Sequence, residues 1–95
     1  MTRAEIAEIA EAGEFEVVFA DGLDDAIIGL GQQFNQYFVV YDREKCICAL
    51  MHTGGQEATR EDAEEYFEFN VVGAYVGPAT PVFVMRGEDA DIGLN

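Results

Sequence analysis

The sequence predicts one small domain of the α/β (or α+β) class, a three-stranded sheet with about four helices in the order α-β-α-β-α-α-β. Three observations predict it. Strand-forming runs alternate with helical stripes almost without gaps. A length of 95 residues allows one modest core, spanning 1–95 as a single unit. Hydrophobic residues make up 49% of the chain and include seven Phe and four Tyr, enough to fill that core and too many for a disordered chain.

Thr2 and Glu5 have the spacing of a capping box, in which each side chain satisfies a free backbone donor of the other. The helix they open carries Ile6, Ile9 and Ala10 on one face, and Gly13 is placed to end it. Phe15-Glu16-Val17-Val18-Phe19 reads as a first strand. Asp21 then caps a second helix, because Leu23, Ala26, Ile27, Leu30 and Phe34 recur at helical spacing. Gly29 and Gly31 each weaken such a helix by about 1 kcal/mol relative to Ala. They mark either a close approach to another backbone or an early helix end. Tyr37-Phe38-Val39-Val40-Tyr41 is the clearest strand, and its continuous apolar character predicts a central position covered on both faces.

Asp42 caps a third helix over 43–53 with the stripe Cys46, Ile47, Leu50 and Met51, and Gly54-Gly55 ends it. Thr59 with Asp62 resembles a second capping box. It starts a fourth helix lined by Ala63, Tyr66, Phe67, Asn70, Val71 and Ala74, which Gly77-Pro78 stops. Val82-Phe83-Val84-Met85 is the last strand, with Pro81 at its first residue, where a missing donor is tolerated. A helix between the first two strands favours a parallel right-handed crossover, with antiparallel pairing left open and the third strand unplaced. The acidic tail, 86–95, is expected to fray.

Charge is the main compositional feature. Nineteen Asp and Glu face five Lys and Arg, a net −14 at neutral pH. Such a surface repels nucleic acid and anionic membranes and is steered toward a basic partner. The plainer account is that the charge keeps a small domain in solution. No apolar run approaches the roughly 20 residues of a membrane span, and the first residues lack the basic and apolar regions of a signal peptide. Both point to the cytosol. There Cys46 and Cys48, two apart on a helix, are expected as free thiols, at least one packed as a small hydrophobe.

On the fourth helix Glu61, Glu64, Glu65 and Glu68 share a face. Like charges at these spacings cost roughly 0.2–0.5 kcal/mol per pair, and only Arg60 offers local relief. A row of carboxylates one helical turn apart imitates a row of phosphates, the groups that nucleic-acid sites hold with Lys and Arg. A solvated helix face is the alternative. Asp24 and Asp25, with Glu5, Glu8, Glu11, Glu14 and Glu16, extend the acidic surface if the fold brings them together.

Other candidates are weaker. Cys48 and His52 have a metal-ligand spacing, but this is the only His and no four-ligand set accompanies it. Asp21, Asp24 and Asp25 lack the alternation and closing Glu of a calcium loop, so capping accounts for them better. Gly22, Gly29 and Gly31 form no phosphate-cradling loop. Tyr66, Phe67 and Phe69 have the chemistry to stack on bases, but neighbouring glutamates argue against nucleic acid and for the core. Asn70, on an apolar stripe, is expected to bond a neighbouring backbone. No Ser-His-Asp or Cys-His arrangement is present, so no catalytic residue, metal or cofactor is assigned. The aromatic content is generous, and so small a core is not expected to hold all of Tyr37, Phe69 and Tyr75.

Phe67-Glu68-Phe69-Asn70-Val71-Val72-Gly73-Ala74-Tyr75-Val76-Gly77, followed by Thr80-Pro81-Val82-Phe83-Val84, resembles a signature of small proteins of tailed bacteriophages and prophages. Asp21-Gly22-Leu23-Asp24-Asp25-Ala26, Gly29, Gly31 and Val40-Tyr41-Asp42 share the likeness, which covers 21–84. That group has no assigned activity, so no site residue carries over; the resemblance implies action in a bacterial host cytoplasm. Together with the charge it leads to an expected function. A phage-type acidic protein, for example an anti-CRISPR or other anti-defence protein, would use Glu61, Glu64, Glu65, Glu68, Asp24 and Asp25 to occupy a nucleic-acid groove. The partner is a basic, nucleic-acid-binding host protein, without direct contact to nucleic acid or membrane. The alternative, motivated by the surplus aromatics, is a structural or regulatory oligomer, a homodimer for instance, or a small-ligand-binding accessory protein. An enzyme is the weakest reading.

Overall fold

Thr2 and Glu5 close the predicted capping box: the Thr2 hydroxyl accepts the Glu5 amide at 3.2 Å, and the Glu5 carboxylate accepts the Thr2 amide at 2.8 Å. The backbone bond to Thr2, with its hydroxyl second, holds the Glu5 carboxyl below the ordinary carboxylate range. This is the start of α1 (Arg3–Gly13) in a computed structural model that describes residues 1–52 and 59–86. Ile6 and Ala10 face the core, whereas Ile9 lies outside it. The left-handed cap falls one residue past the predicted glycine, on Glu14 at φ 56°.

The remaining elements are β1 (Ile27–Gln33), β2 (Gln36–Asp42), α2 (Arg43–Met51), α3 (Arg60–Tyr66) and β3 (Val82–Val84). A 3₁₀ turn at Asp24–Ala26 precedes β1, and a π-helix, Phe67–Val72, continues α3. The sheet order is β1-β2-β3, with β1 antiparallel and β3 parallel to the central β2. The mixed α/β class, a three-stranded sheet and the central place of 37–41 stand as predicted, but the first strand is 27–33 and not 15–19. Among the described residues the order is α-β-β-α-α-β with three α-helices, so the helix count and order differ.

Two elements account for the difference. The predicted helix after Asp21 is a 3₁₀ turn followed by β1. Its apolar residues satisfy a helical spacing, but Ile27 and Ile28 are β-branched, and Gly31 is needed on a strand: a Cβ there would come within 2.6 Å of the Phe38 ring opposite. Phe34 and Asn35 form a two-residue hairpin loop closed by the Gln33–Gln36 pair, and Phe34 takes φ 55°. The first two strands are therefore an antiparallel hairpin, not a crossover. The second difference is 15–19, which forms no strand and lies outside the sheet. Phe15 stacks on Tyr37 at 4.0 Å, Val17 and Phe19 pack against the core, and the Ala20 amide donates to the Tyr41 hydroxyl at 2.7 Å.

The core gathers Ile6, Leu23, Ala26, Val39, Tyr41, Cys46, Ile47, Ala63 and Phe67 between the sheet and the helices. Burial raises the Tyr41 hydroxyl above its ordinary range, and the Ala20 N–H that it accepts opposes that shift in part. Asp42 caps α2 by accepting the Lys45 amide at 3.2 Å, and its second oxygen pairs with Arg86 Nε at 2.8 Å. The helix stop at Gly54-Gly55 and the tail 87–95 lie outside the described residues.

The two cysteines are free, as predicted, and opposite in environment: Cys46 is buried and Cys48 exposed. Burial, with Asp42 second, pushes the Cys46 thiol up to about 12. Because the unfolded thiol ionises near 9.0, this contribution to stability is full below that pH and fades as pH rises toward 12. Iodoacetamide is expected to label Cys48 alone in the native protein and both thiols in denaturant. Equal labelling rates in the native state would contradict the burial of Cys46.

Candidate partner-binding face

Thr59 opens α3 by accepting the Asp62 amide at 3.1 Å, and Ala63 and Phe67 then turn into the core. Past Tyr66 the helix widens. The Gly73 amide reaches back to the Glu68 carbonyl at 3.0 Å, a bond across five residues. Glycine suits the position, since a Cβ would lie 3.0 Å from the Phe69 carbonyl oxygen and 3.1 Å from that of Glu68, a tight fit that the widened turn would have to ease by a few tenths of an ångström. Phe67 packs edge-on against Phe83 at 5.1 Å and lies beneath the Arg43 guanidinium.

This geometry corrects the predicted stripe. Tyr66 is 54% exposed and Phe69 76% exposed, although both were expected in the core, and Asn70 and Ala74 are also on the surface. Phe69 and Tyr75 are the surplus aromatics, both turned outward, whereas Tyr37 is half-buried against Phe15. Val72, Val76 and Met85 extend the exposed apolar surface. Thr80 organises the connecting loop by accepting the Val76 amide at 3.4 Å and donating to the Ala74 carbonyl at 3.5 Å.

The row of four glutamates is divided by its partners. Glu64 pairs with Arg60 at 2.7 Å, and Glu68 with Arg43 at 3.0 Å. Arg60 also clasps Glu44 of α2 with two nitrogens, tying the helices together; its bond is the main reason the Glu44 carboxyl is held low. Glu61, Asp62 and Glu65 are exposed and make no ion pair among the described residues. Of the acids before β1, Asp24 pairs with Arg3 at 3.2 Å, while Asp25 points to solvent.

A cleft of about 260 Å³ is lined by Asp21 and Leu23 from the turn before β1, by Tyr66, Asn70 and Val71 from the end of α3 and the π-helix, and by Phe83. A second groove of about 230 Å³ lies beside it, lined by Asp62, Glu65, Tyr66, Phe69 and Asn70. The turn at 21–25 and the end of α3 thus share one depression, whereas Asp24, Asp25, Glu61, Glu64, Glu65 and Glu68 do not line it. Exposed aromatics among them were not legible as such, because helical spacing alone does not reveal which face a π-turn presents.

Cys48 and His52 are both exposed, and no three Cys, His, Asp or Glu among the described residues are grouped so as to hold a metal. No helix of the described residues is long and apolar enough to cross a membrane. Comparison with family models, curated proteins and solved structures finds no match.

Proposed function

We propose that this chain is an acidic protein-binding domain of phage type that acts in a bacterial cytoplasm. Its α3 face occupies the basic groove of a nucleic-acid-binding host factor and excludes the polynucleotide. An anti-CRISPR or other anti-defence inhibitor is the kind of protein that works this way. One observation supports the reading above others: Glu61, Asp62 and Glu65 stand exposed, with no ion pair among the described residues, beside exposed aromatics on a chain of net charge −14. The Glu61 and Glu65 carboxylates, one turn apart, are presented to the same cations that hold phosphates, and aromatic side chains supply contact area at low entropic cost.

The ion pairs identify the informative variant. Glu61→Gln with Glu65→Gln removes an i,i+4 repulsion and is expected to leave stability unchanged or raise it by about 0.2–0.5 kcal/mol. Glu64→Gln or Glu68→Gln instead loses an ion pair worth about 0.2–1 kcal/mol. A factor captured from bacterial lysate at low salt would be tested for release of a labelled oligonucleotide when this chain is added. The chain is expected to displace the oligonucleotide, and the Glu61/Glu65 double variant to need at least about tenfold more protein. Equal potency of the variant would reject this face.

The outward Phe69, Tyr75 and Met85 favour a second reading, a self-associating or ligand-binding accessory protein. Light scattering decides the oligomer: a strict monomer at high concentration and high salt rejects it.

A further inference from the structure

Arginine is held in this protein by a repeated arrangement. Arg3 lies 4.4 Å over the Phe19 ring while pairing with Asp24 at 3.2 Å and Asp21 at 3.6 Å. Arg43 lies 5.5 Å over the Phe67 ring while pairing with Glu68 at 3.0 Å. Each cradle supplies an aromatic face for the guanidinium plane and a carboxylate for its edge. The groove beside Asp62, Glu65, Tyr66, Phe69 and Asn70 offers the same components without an arginine. Its rings are not among the aromatic pairs of the described residues, which are Phe15–Tyr37 and Tyr41–Phe83, both stacked, and Phe67–Phe83, edge-on.

We infer that this groove receives an arginine side chain from a basic segment of the partner protein, an inference that rests on the proposed function above. The chain cannot fill it with its own arginines: Arg3 and Arg43 occupy their cradles, Arg60 joins Glu44 and Glu64, and Arg86 joins Asp42. Charge selects a cation, since two carboxylates line the groove. Shape and donor count select arginine over lysine. A planar guanidinium stacks on an aromatic face, and its five N–H donors suit two carboxylates and the Asn70 carbonyl at once. A nucleobase would bring a phosphate toward Asp62 and Glu65, so the acids that attract arginine disfavour nucleic acid.

The test titrates acetylated hexa-arginine and hexa-lysine peptides into the protein at matched ionic strength, with amide chemical shifts as readout. Hexa-arginine is expected to bind about fivefold more tightly, with the largest shifts at Tyr66, Phe69 and Asn70. Tyr66→Ala with Phe69→Ala is expected to bring hexa-arginine down to the level of hexa-lysine. Phe34→Ala, which removes an aromatic 89% exposed at the hairpin tip, is expected to retain the preference. Equal affinity of the two peptides, or a preference that survives in the Tyr66/Phe69 variant, would overturn the groove while leaving the acidic face standing. Failure of both peptides to bind at low salt would overturn both readings. Binding of a single-stranded oligonucleotide in place of the peptides would show that the aromatics stack on bases and would also overturn the inference.

Discussion

Phe67→Ala is expected to remove about 3–5 kcal/mol of stability, out of the roughly 5–15 kcal/mol available to a small domain. Phe67 is fully buried, meets Phe83 edge-on and lies under Arg43, which also holds Glu68. Its loss opens a cavity where the π-helix joins the sheet, so it also loosens the surface that Phe69 and Glu68 occupy. Phe67→Leu retains much of the volume and is expected to cost less, because the cavity term shrinks with it. Urea unfolding measures both. A midpoint for Phe67→Ala within experimental error of the parent would contradict the packing described.

Arg86→Ala is the second large effect. Asp42 is 3% exposed and gives one oxygen to the Lys45 amide and the other to Arg86. Without Arg86 the carboxylate keeps, among the described residues, only its capping bond; because the Arg86 side chain is itself 46% exposed and its removal admits water, the expected cost is about 1–3 kcal/mol. Asp42→Asn in the Arg86→Ala background is expected to recover part of the loss. A neutral amide can still accept the Lys45 N–H without burying a charge. The double-mutant cycle reads the coupling directly. Additive effects would mean that the pair contributes nothing beyond its members.

Much of the fold was legible where two signals agreed. Thr2 and Glu5, Asp42 before α2, and Thr59 before α3 each combined a capping residue with a following helical stripe, and each opens a helix. The run 37–41 combined β-branched and aromatic residues with continuous hydrophobicity, and it is the central strand. Errors arose where one signal stood alone. Leu23, Ala26, Ile27, Leu30 and Phe34 have helical spacing, yet the glycines inside the stripe belong to a strand, and a hairpin loop of Phe34 and Asn35 lacks the glycine that normally announces it. Phe15 to Phe19 has strand composition, but a strand needs a partner edge, which local sequence does not encode.

The candidate face was legible as a charge pattern and illegible as a surface. Spacing placed Glu61, Glu64, Glu65 and Glu68 together. It did not show that Arg60 and Arg43, one from the helix start and one from α2, would take two of them. Nor did it show Tyr66 and Phe69 leaving the core, which depends on how the widened turn meets the sheet. The proximity of Asp21 to this face is a long-range contact, fixed by tertiary packing alone.

The claim beneath all of this is that a host factor recognises the chain as it recognises a polynucleotide. The most direct measurement is the affinity for that factor, with and without competing oligonucleotide, between about 50 and 200 mM salt. The account predicts a steep, log-linear weakening as salt rises, and mutual exclusion with the oligonucleotide at every salt concentration. An affinity that hardly changes with salt, or a ternary complex in which factor, oligonucleotide and this chain coexist, would contradict it.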